Sequence, residues 1–237
     1  MSITMKYSPL ALSLALMLGM PTMAHAQPIM PSTRMAEQAE IIYLYRMHPA
    51  DSQPSQHLKD IQQLRSSMLQ RHQQSRILFF KDVTDGDHYV SLITNQALDL
   101  PQEAGWSKEF LEQYTRSFPG ARSFILESSL LIGDARLNVS PSSLIGIEHV
   151  DSDPQKRESN LPLFQSLESR LRQIQGFRDI QIWTWNQRTN HWTVIEVWDN
   201  AEARKRANQD PEIIKIWDSI YGNAAAPNSQ SEYQLLQ

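Results

Sequence analysis

Asp151-Ser-Asp-Pro154 has a near copy in the first half of the chain, Asp51-Ser-Gln-Pro54. Each follows an apolar, β-branched run: Ile41 to Met47 before the first copy, Leu144 to Val150 before the second. Such runs read as strands. Each copy precedes apolar residues spaced by three and four: Leu58, Ile61, Leu64, Met68 and Leu69 in one case, Leu163, Leu167, Leu171 and Ile174 in the other. That period is helical. Asp153 can cap the second helix with Pro154 at its first position, and Gly176 is placed to end it. The motif therefore reads as a strand-to-helix junction used twice.

The order continues in parallel. In the first half Arg76 to Phe80 and His88 to Ile93 form a hairpin across the turn signal Asp85-Gly86. Ser107 then caps a helix carrying Phe110, Leu111, Tyr114 and Phe118, and Phe124 to Ile132 makes a fourth strand. In the second half Ile180 to Asn186 and Trp192 to Trp198 pair across Gln187-Arg-Thr-Asn190. A helix from Ala201 breaks at Asp210-Pro211, where proline removes a backbone donor, and resumes through Ile213, Ile214, Trp217 and Ile220. Glu232 to Leu236 is the last strand. The predicted fold is α+β: tandem ferredoxin-like βαββαβ repeats that bury their bare sheet faces against each other within one chain. Residues 39–134 form the first unit, 135–143 a linker and 144–237 the second unit. Burial on both sides of the sheet requires strands that are apolar on both faces. Trp192, Val194 and Trp198 against Thr193, Ile195 and Val197 satisfy that requirement.

The N-terminus carries Lys6, an apolar run from Leu10 to Met20, and Ala24-His25-Ala26. This is the pattern of a secretory signal cut before Gln27, with a polar leader at 27–38, and it implies a periplasmic or secreted protein. The apolar run is shorter than the ~20 residues a membrane-spanning helix needs, so no membrane insertion is expected after cleavage. The chain has a net charge of -4 and no cysteine. Its acidic balance, without a basic stripe, argues against nucleic acid as a partner. The absence of cysteine excludes disulfides, thiolate catalysis, zinc–cysteine sites and iron–sulfur clusters. No G-x-S-x-G, glycine-rich phosphate loop, H-E-x-x-H or S-x-x-K occurs.

Trp192-Thr-Val-Ile-Glu-Val-Trp198-Asp-Asn-Ala-Glu-Ala203, followed by Asn208-Gln-Asp-Pro211, resembles the antibiotic biosynthesis monooxygenase family of the dimeric α/β-barrel superfamily. The resemblance implies a barrel of two ferredoxin-like units, and an activity among cofactor-independent oxygenases of electron-rich aromatic or quinol-type substrates or among haem-degrading proteins. Trp198 matches the family's strand-ending Trp and Pro211 the break in its helix. Asn208 stands where the family commonly has His, and Asn does not replace imidazole as an iron ligand, which disfavours haem. The expectation is therefore no cofactor.

Within this stretch Glu196 is an acid inside an apolar strand. Desolvation would make it hold its proton more tightly and suit it to general base work on a phenol. The catalytic candidates are Glu196, Trp198 and Asn208, and Trp183, Trp185 and Trp192 with Trp198 are candidates for an aromatic ligand pocket. Barrel core is the structural alternative for the tryptophans, and an Arg or Trp N–H partner the alternative for Glu196. His149, Asp151 and Asp153 read as strand-end and capping residues, with no metal site. Two functions follow: an exported small-molecule enzyme, or a non-catalytic barrel that binds a small apolar or aromatic molecule or a partner chain. Either would be a monomer or homodimer.

Overall fold

Most of the described strands form where β-branched and aromatic residues concentrate, and the exception is the last, Ser229–Leu235, whose only aromatic residue is Tyr233. The computed structural model describes residues 38–46, 54–71, 75–84, 88–95, 112, 116, 121–134, 136–225 and 229–236. The strands are β1 (Gln38–Arg46), β2 (Ser75–Asp82), β3 (His88–Asn95), β4 (Ala121–Ile132), β5 (Leu144–Asp151), β6 (Phe177–Trp185), β7 (Arg188–Trp198) and β8 (Ser229–Leu235). The helices are α1 (Pro54–Arg71), α2 (Arg157–Leu171), α3 (Ala201–Ala207) and α4 (Pro211–Tyr221). The signal sequence, most of the leader, the Asp85-Gly86 turn and most of the Ser107 helix lie outside the described residues. Of that last element Glu112 and Arg116 are described, and both are helical.

Both helix starts fall where the repeated motif puts them. Helix α1 begins at Pro54. In the second half Asp153 accepts from the backbone N–H of Gln155, and Pro154 opens a short 3₁₀ turn that leads into α2. Two local expectations are corrected. Helix α2 ends at Leu171 rather than running to Gly176, and Gly176 instead has φ 88° in the turn before β6. A Cβ at Gly176 would stand 2.6 Å from Cβ of Ala203, so close packing of α3 adds to the demand for glycine. The β6–β7 turn is tighter than read, with only Asn186 and Gln187 between the strands.

The strands close into one barrel in the order β1-β3-β2-β8-β5-β7-β6-β4. The two repeats are joined through their fourth strands, because β4 pairs with β6 and β8 pairs with β2, all antiparallel. The tandem ferredoxin-like barrel therefore closes within a single chain. Side chains alternate between two cores. One fills the barrel lumen with residues of every strand, among them Ile41, Phe80, Leu92, Leu126, Ile147, Trp183, Ile195 and Tyr233. The other lies outside the sheet beneath the helices and joins Trp192, Val194 and Trp198 to Phe164, Leu167, Ala203, Ile213 and Trp217. This is the two-faced burial that the strand composition demanded.

The linker also enters the fold. Leu137 is 1% exposed and packs into the lumen core, with Val139 beside it. Its backbone oxygen accepts from Nη2 of Arg76 at 2.7 Å, and the N–H of Asn138 donates to Oδ2 of Asp179 at 2.9 Å. The start of β6 and the start of β2 therefore hold a plug at one end of the barrel. No described helix is long and apolar enough to cross a membrane.

Candidate functional site

Pairing of β5 with β7 sets Gly146 opposite Glu196 and Glu148 opposite Val194. Directly opposed residues share a face, so both acids point toward the helices. There they meet Arg204 of α3, Tyr221 at the end of α4, and Glu232 of β8, which pairs with Gly146. Arg204 and both glutamates are 3% exposed. The guanidinium lies flat on Gly146, where any Cβ would come within 2.9–3.1 Å of it. Glycine is thus required for close approach, not for its backbone angle.

The network is ordered by distance. Nη1 of Arg204 donates to Oε1 of Glu232 at 2.5 Å, whereas its Nη2 is 3.6 Å from Oε1 of Glu148 and its Nε 3.8 Å from Oε2 of Glu196. The last two are ion pairs without a hydrogen bond, and both nitrogens are buried. Tyr221 donates its O–H to Oε2 of Glu148 at 2.5 Å, and Nε1 of Trp198 donates to Oε2 of Glu196 at 3.1 Å. Glu196 therefore has both partners its structural alternative named, a Trp N–H and an Arg.

Burial pushes the Glu148 carboxyl up to about 7, and the negative charge of Glu196 pushes the same way against Tyr221 and Arg204. Glu196 is likewise raised by burial, with Arg204 and Trp198 opposing. Tyr221 is held well above the usual phenol range by burial and by the acid it serves. Charge counting gives the same picture: three carboxylates share one guanidinium, and Glu232 holds its nearest N–H. Burial and charge thus both push the Glu148–Glu196 pair toward holding a proton between them.

The tryptophans do not form the single pocket expected of them. Trp183 pairs with Thr193 and Thr184 with Trp192, so Trp183 and Trp185 face the lumen while Trp192 and Trp198 face the helices. Sheet register decides this, and no spacing within one strand reveals it. Trp183 is fully buried and donates to Oε1 of Gln181 at 3.1 Å. Trp192 packs edge-on to Phe164, and Trp198 edge-on to Phe177. Asn208 is an exposed C-terminal cap of α3, one turn beyond Arg204, while Glu196 and Trp198 are joined directly.

Sequence reasoning passed over Glu148, Arg204, Tyr221 and Glu232. Glu148 carries the signal that marked Glu196, an acid within an apolar strand. Arg204 carries none, because it sits in a helix rich in charged residues. His149, Asp151 and Asp153 do not act together: Asp153 caps a turn, and His149 and Asp151 face the lumen end of β5. Among the described residues no three His, Asp or Glu side chains gather as a metal site.

No family model and no curated protein matches the chain. Its fold is shared by many solved structures. An anthrone oxidase-like protein matches with a TM-score of 0.68 at 12% identity, over 86% of this chain and 93% of its own. A protein of Fusobacterium nucleatum subsp. nucleatum, provisionally named a monooxygenase, matches with a TM-score of 0.66 at 13% identity, over 86% of this chain and 94% of its own. A structure described as a major regulator of staphylococcal pathogenesis matches with a TM-score of 0.56 at 6% identity, over 84% of this chain and 99% of its own. The resemblance to the antibiotic biosynthesis monooxygenase-like group thus holds for the fold. The last neighbour shows that this fold also serves proteins described otherwise.

Proposed function

We propose that this chain is an exported, cofactor-independent oxygenase of small phenolic or quinol-type substrates, with Glu148 as its proton acceptor. The signal pattern at the N-terminus supports export, and the shared fold with oxidase-like and monooxygenase-like proteins supports the reaction class. One observation carries the reading: the buried Glu148 carboxyl accepts a hydrogen bond from the half-buried Tyr221, and burial pushes it up to about 7, the range a base needs in order to work at physiological pH. A substrate hydroxyl at Tyr221 would pass its proton to Oη as Tyr221 passes its own to Oε2 of Glu148. The resulting anion gives up electrons to dissolved oxygen: a quinol becomes its quinone with oxygen reduced to hydrogen peroxide, and an anthrone-type methylene becomes a carbonyl by taking one oxygen atom while the other leaves as water. Glu196 and Arg204 set the charge against which Glu148 accepts the proton.

Oxygen uptake by the mature chain, followed with hydroquinone, catechol and anthrone, tests the reading. Uptake with at least one of them, reduced 10²- to 10⁴-fold in Glu148→Gln and in Tyr221→Phe, is the expected result. Uptake that is unchanged in both variants would overturn the assignment of the base.

The near-complete burial of Glu148 and Glu196 favours one second reading, a barrel that binds an aromatic molecule without turnover. It predicts ligand-dependent thermal stabilisation with no oxygen consumption.

A further inference from the structure

The lumen has a polar end opposite the Leu137 plug. Pairing of His149 with Thr193, and of Asp151 with His191, sets these side chains on the lumen face of β5 and β7, and Trp185 joins them from the end of β6. The His149 and His191 rings meet edge to face with centroids 4.4 Å apart, and the His191 and Trp185 rings do so at 5.6 Å. Oγ1 of Thr193 lies 3.2 Å from Nδ1 of His149. Asp151 is held in place, its Oδ2 accepting from Nη2 of Arg188 at 3.1 Å and its Oδ1 from Nδ2 of Asn190 at 3.1 Å. Arg188 also lies over the Trp185 ring at 5.9 Å and is 51% exposed, so it forms the rim.

Three polar atoms in this cluster are buried without a hydrogen-bond partner among the described residues: Nε1 of Trp185 and both ring nitrogens of His191. A buried polar group left unpaired costs about 1–3 kcal/mol, so three on two rings that pack edge to face call for an explanation. Their chemistry is specific. Nδ1 of His191 lies 3.8 Å from Oδ1 of Asp151, beyond hydrogen-bond reach but on the side that favours a proton there. Burial keeps the ring neutral, holding it below its ordinary range. With the proton on Nδ1, Nε2 is a free acceptor, and the indole N–H of Trp185 is a free donor.

One acceptor and one donor against aromatic walls match a group that both donates and accepts on a flat ring. We infer that the His191–Trp185 end of the barrel binds the hydroxyl of a small phenol, which donates to Nε2 of His191 and accepts from Nε1 of Trp185, with Asp151 orienting the imidazole. Arg188 covers the bound ring from the rim. This site lies on the opposite face of the sheet from Glu148 and does not depend on the function proposed for that residue.

The test is a phenol titration of the isotope-labelled mature chain, followed by NMR at the Trp185 indole N–H and the His191 ring nitrogens, with anisole as a control that lacks the donor. Phenol should shift both signals saturably. Anisole should bind at least tenfold more weakly, and His191→Ala and Trp185→Phe should each weaken phenol at least tenfold. Trp185→Phe keeps an aromatic ring but loses the N–H, and an unchanged urea midpoint in this variant separates its loss of affinity from a loss of fold. Glu148→Gln should leave the titration unchanged, which separates failure here from failure of the helix-side site. Equal binding of anisole, wild-type affinity in Trp185→Phe, or shifts confined to the Trp198 indole would each overturn the proposal. So would a Trp185 N–H that contacts only water at saturating phenol.

Discussion

Glu148 and His149 are chain neighbours that enter opposite worlds. Glu148 points under the helices into a cluster of three acids and one arginine, and burial raises it to about 7. His149 points into the barrel beside a second histidine, and burial, with His191 next in weight, lowers it to about 4. In both cases the interior rejects charge, and the residue type sets the sign: desolvation favours the protonated acid and the deprotonated base. The helix side counters with Arg204, whereas the lumen side leaves its histidines neutral. The difference teaches that one sheet can carry two polar sites that are electrostatically independent, because its side chains alternate in direction.

The most severe way to break this comparison is to remove Arg204, the cation among the buried acids of the helix side. Arg204→Ala should destabilise the fold by about 3–5 kcal/mol, because it leaves buried carboxylates uncompensated. Urea unfolding measures it, and a loss below about 1 kcal/mol would mean that the acids are already neutral without Arg204.

The pH dependence sharpens the contrast, because the two neighbours have opposite signs. The folded value of Glu148 is raised, so its contribution is fully present below the unfolded value near 4.5 and is lost as pH rises through about 7. The folded value of His149 is lowered, so its contribution is present above the unfolded value near 6.5 and is lost as pH falls through about 4. Stability of wild type minus that of Glu148→Gln should therefore fall between pH 4.5 and 7, by up to about 3 kcal/mol. Wild type minus His149→Gln should rise over pH 4 to 6.5 by a similar amount. Two slopes of the same sign, from urea titrations at each pH, would refute the opposition.

A smaller change tests the seat of Arg204. Gly146→Ala places a Cβ within 2.9–3.1 Å of the guanidinium and should cost about 1–3 kcal/mol as an overpacked site. It should also move the Glu148 titration, read from the side-chain carboxyl resonance, while the His149 resonance stays in place. The smallest effect belongs to the exposed rim: Arg188→Ala should change stability by about 0.2–1 kcal/mol and leave the Glu148 titration untouched.

How far the candidate site was legible varies residue by residue. Glu196 and Trp198 are neighbours on one strand face, so period-two alternation was enough to join them, and their hydrogen bond follows. Glu148 was marked by the same signal on β5, yet only pairing of β5 with β7 shows that it shares a face with Glu196. Arg204 is one of three basic residues in a row on α3, and nothing local distinguishes it from its exposed neighbours Lys205 and Arg206. The expected aromatic pocket dissolved for the same reason that Glu148 was missed: the register between β6 and β7 sends Trp183 and Trp192 to opposite faces.

Local sequence determined the element order, the repeated strand-to-helix junction, both proline-marked helix starts in the second half and the two-faced burial of β7. Each rests on periodicity, capping or proline geometry within a dozen residues. Tertiary structure alone decided that the fourth strand of each repeat pairs across to the other repeat, that Leu137 plugs the lumen, and that Arg204 lands on Gly146 between two acids. These depend on register and on contacts between residues far apart in the chain, where a shift of one residue would exchange the faces of every side chain on the strand.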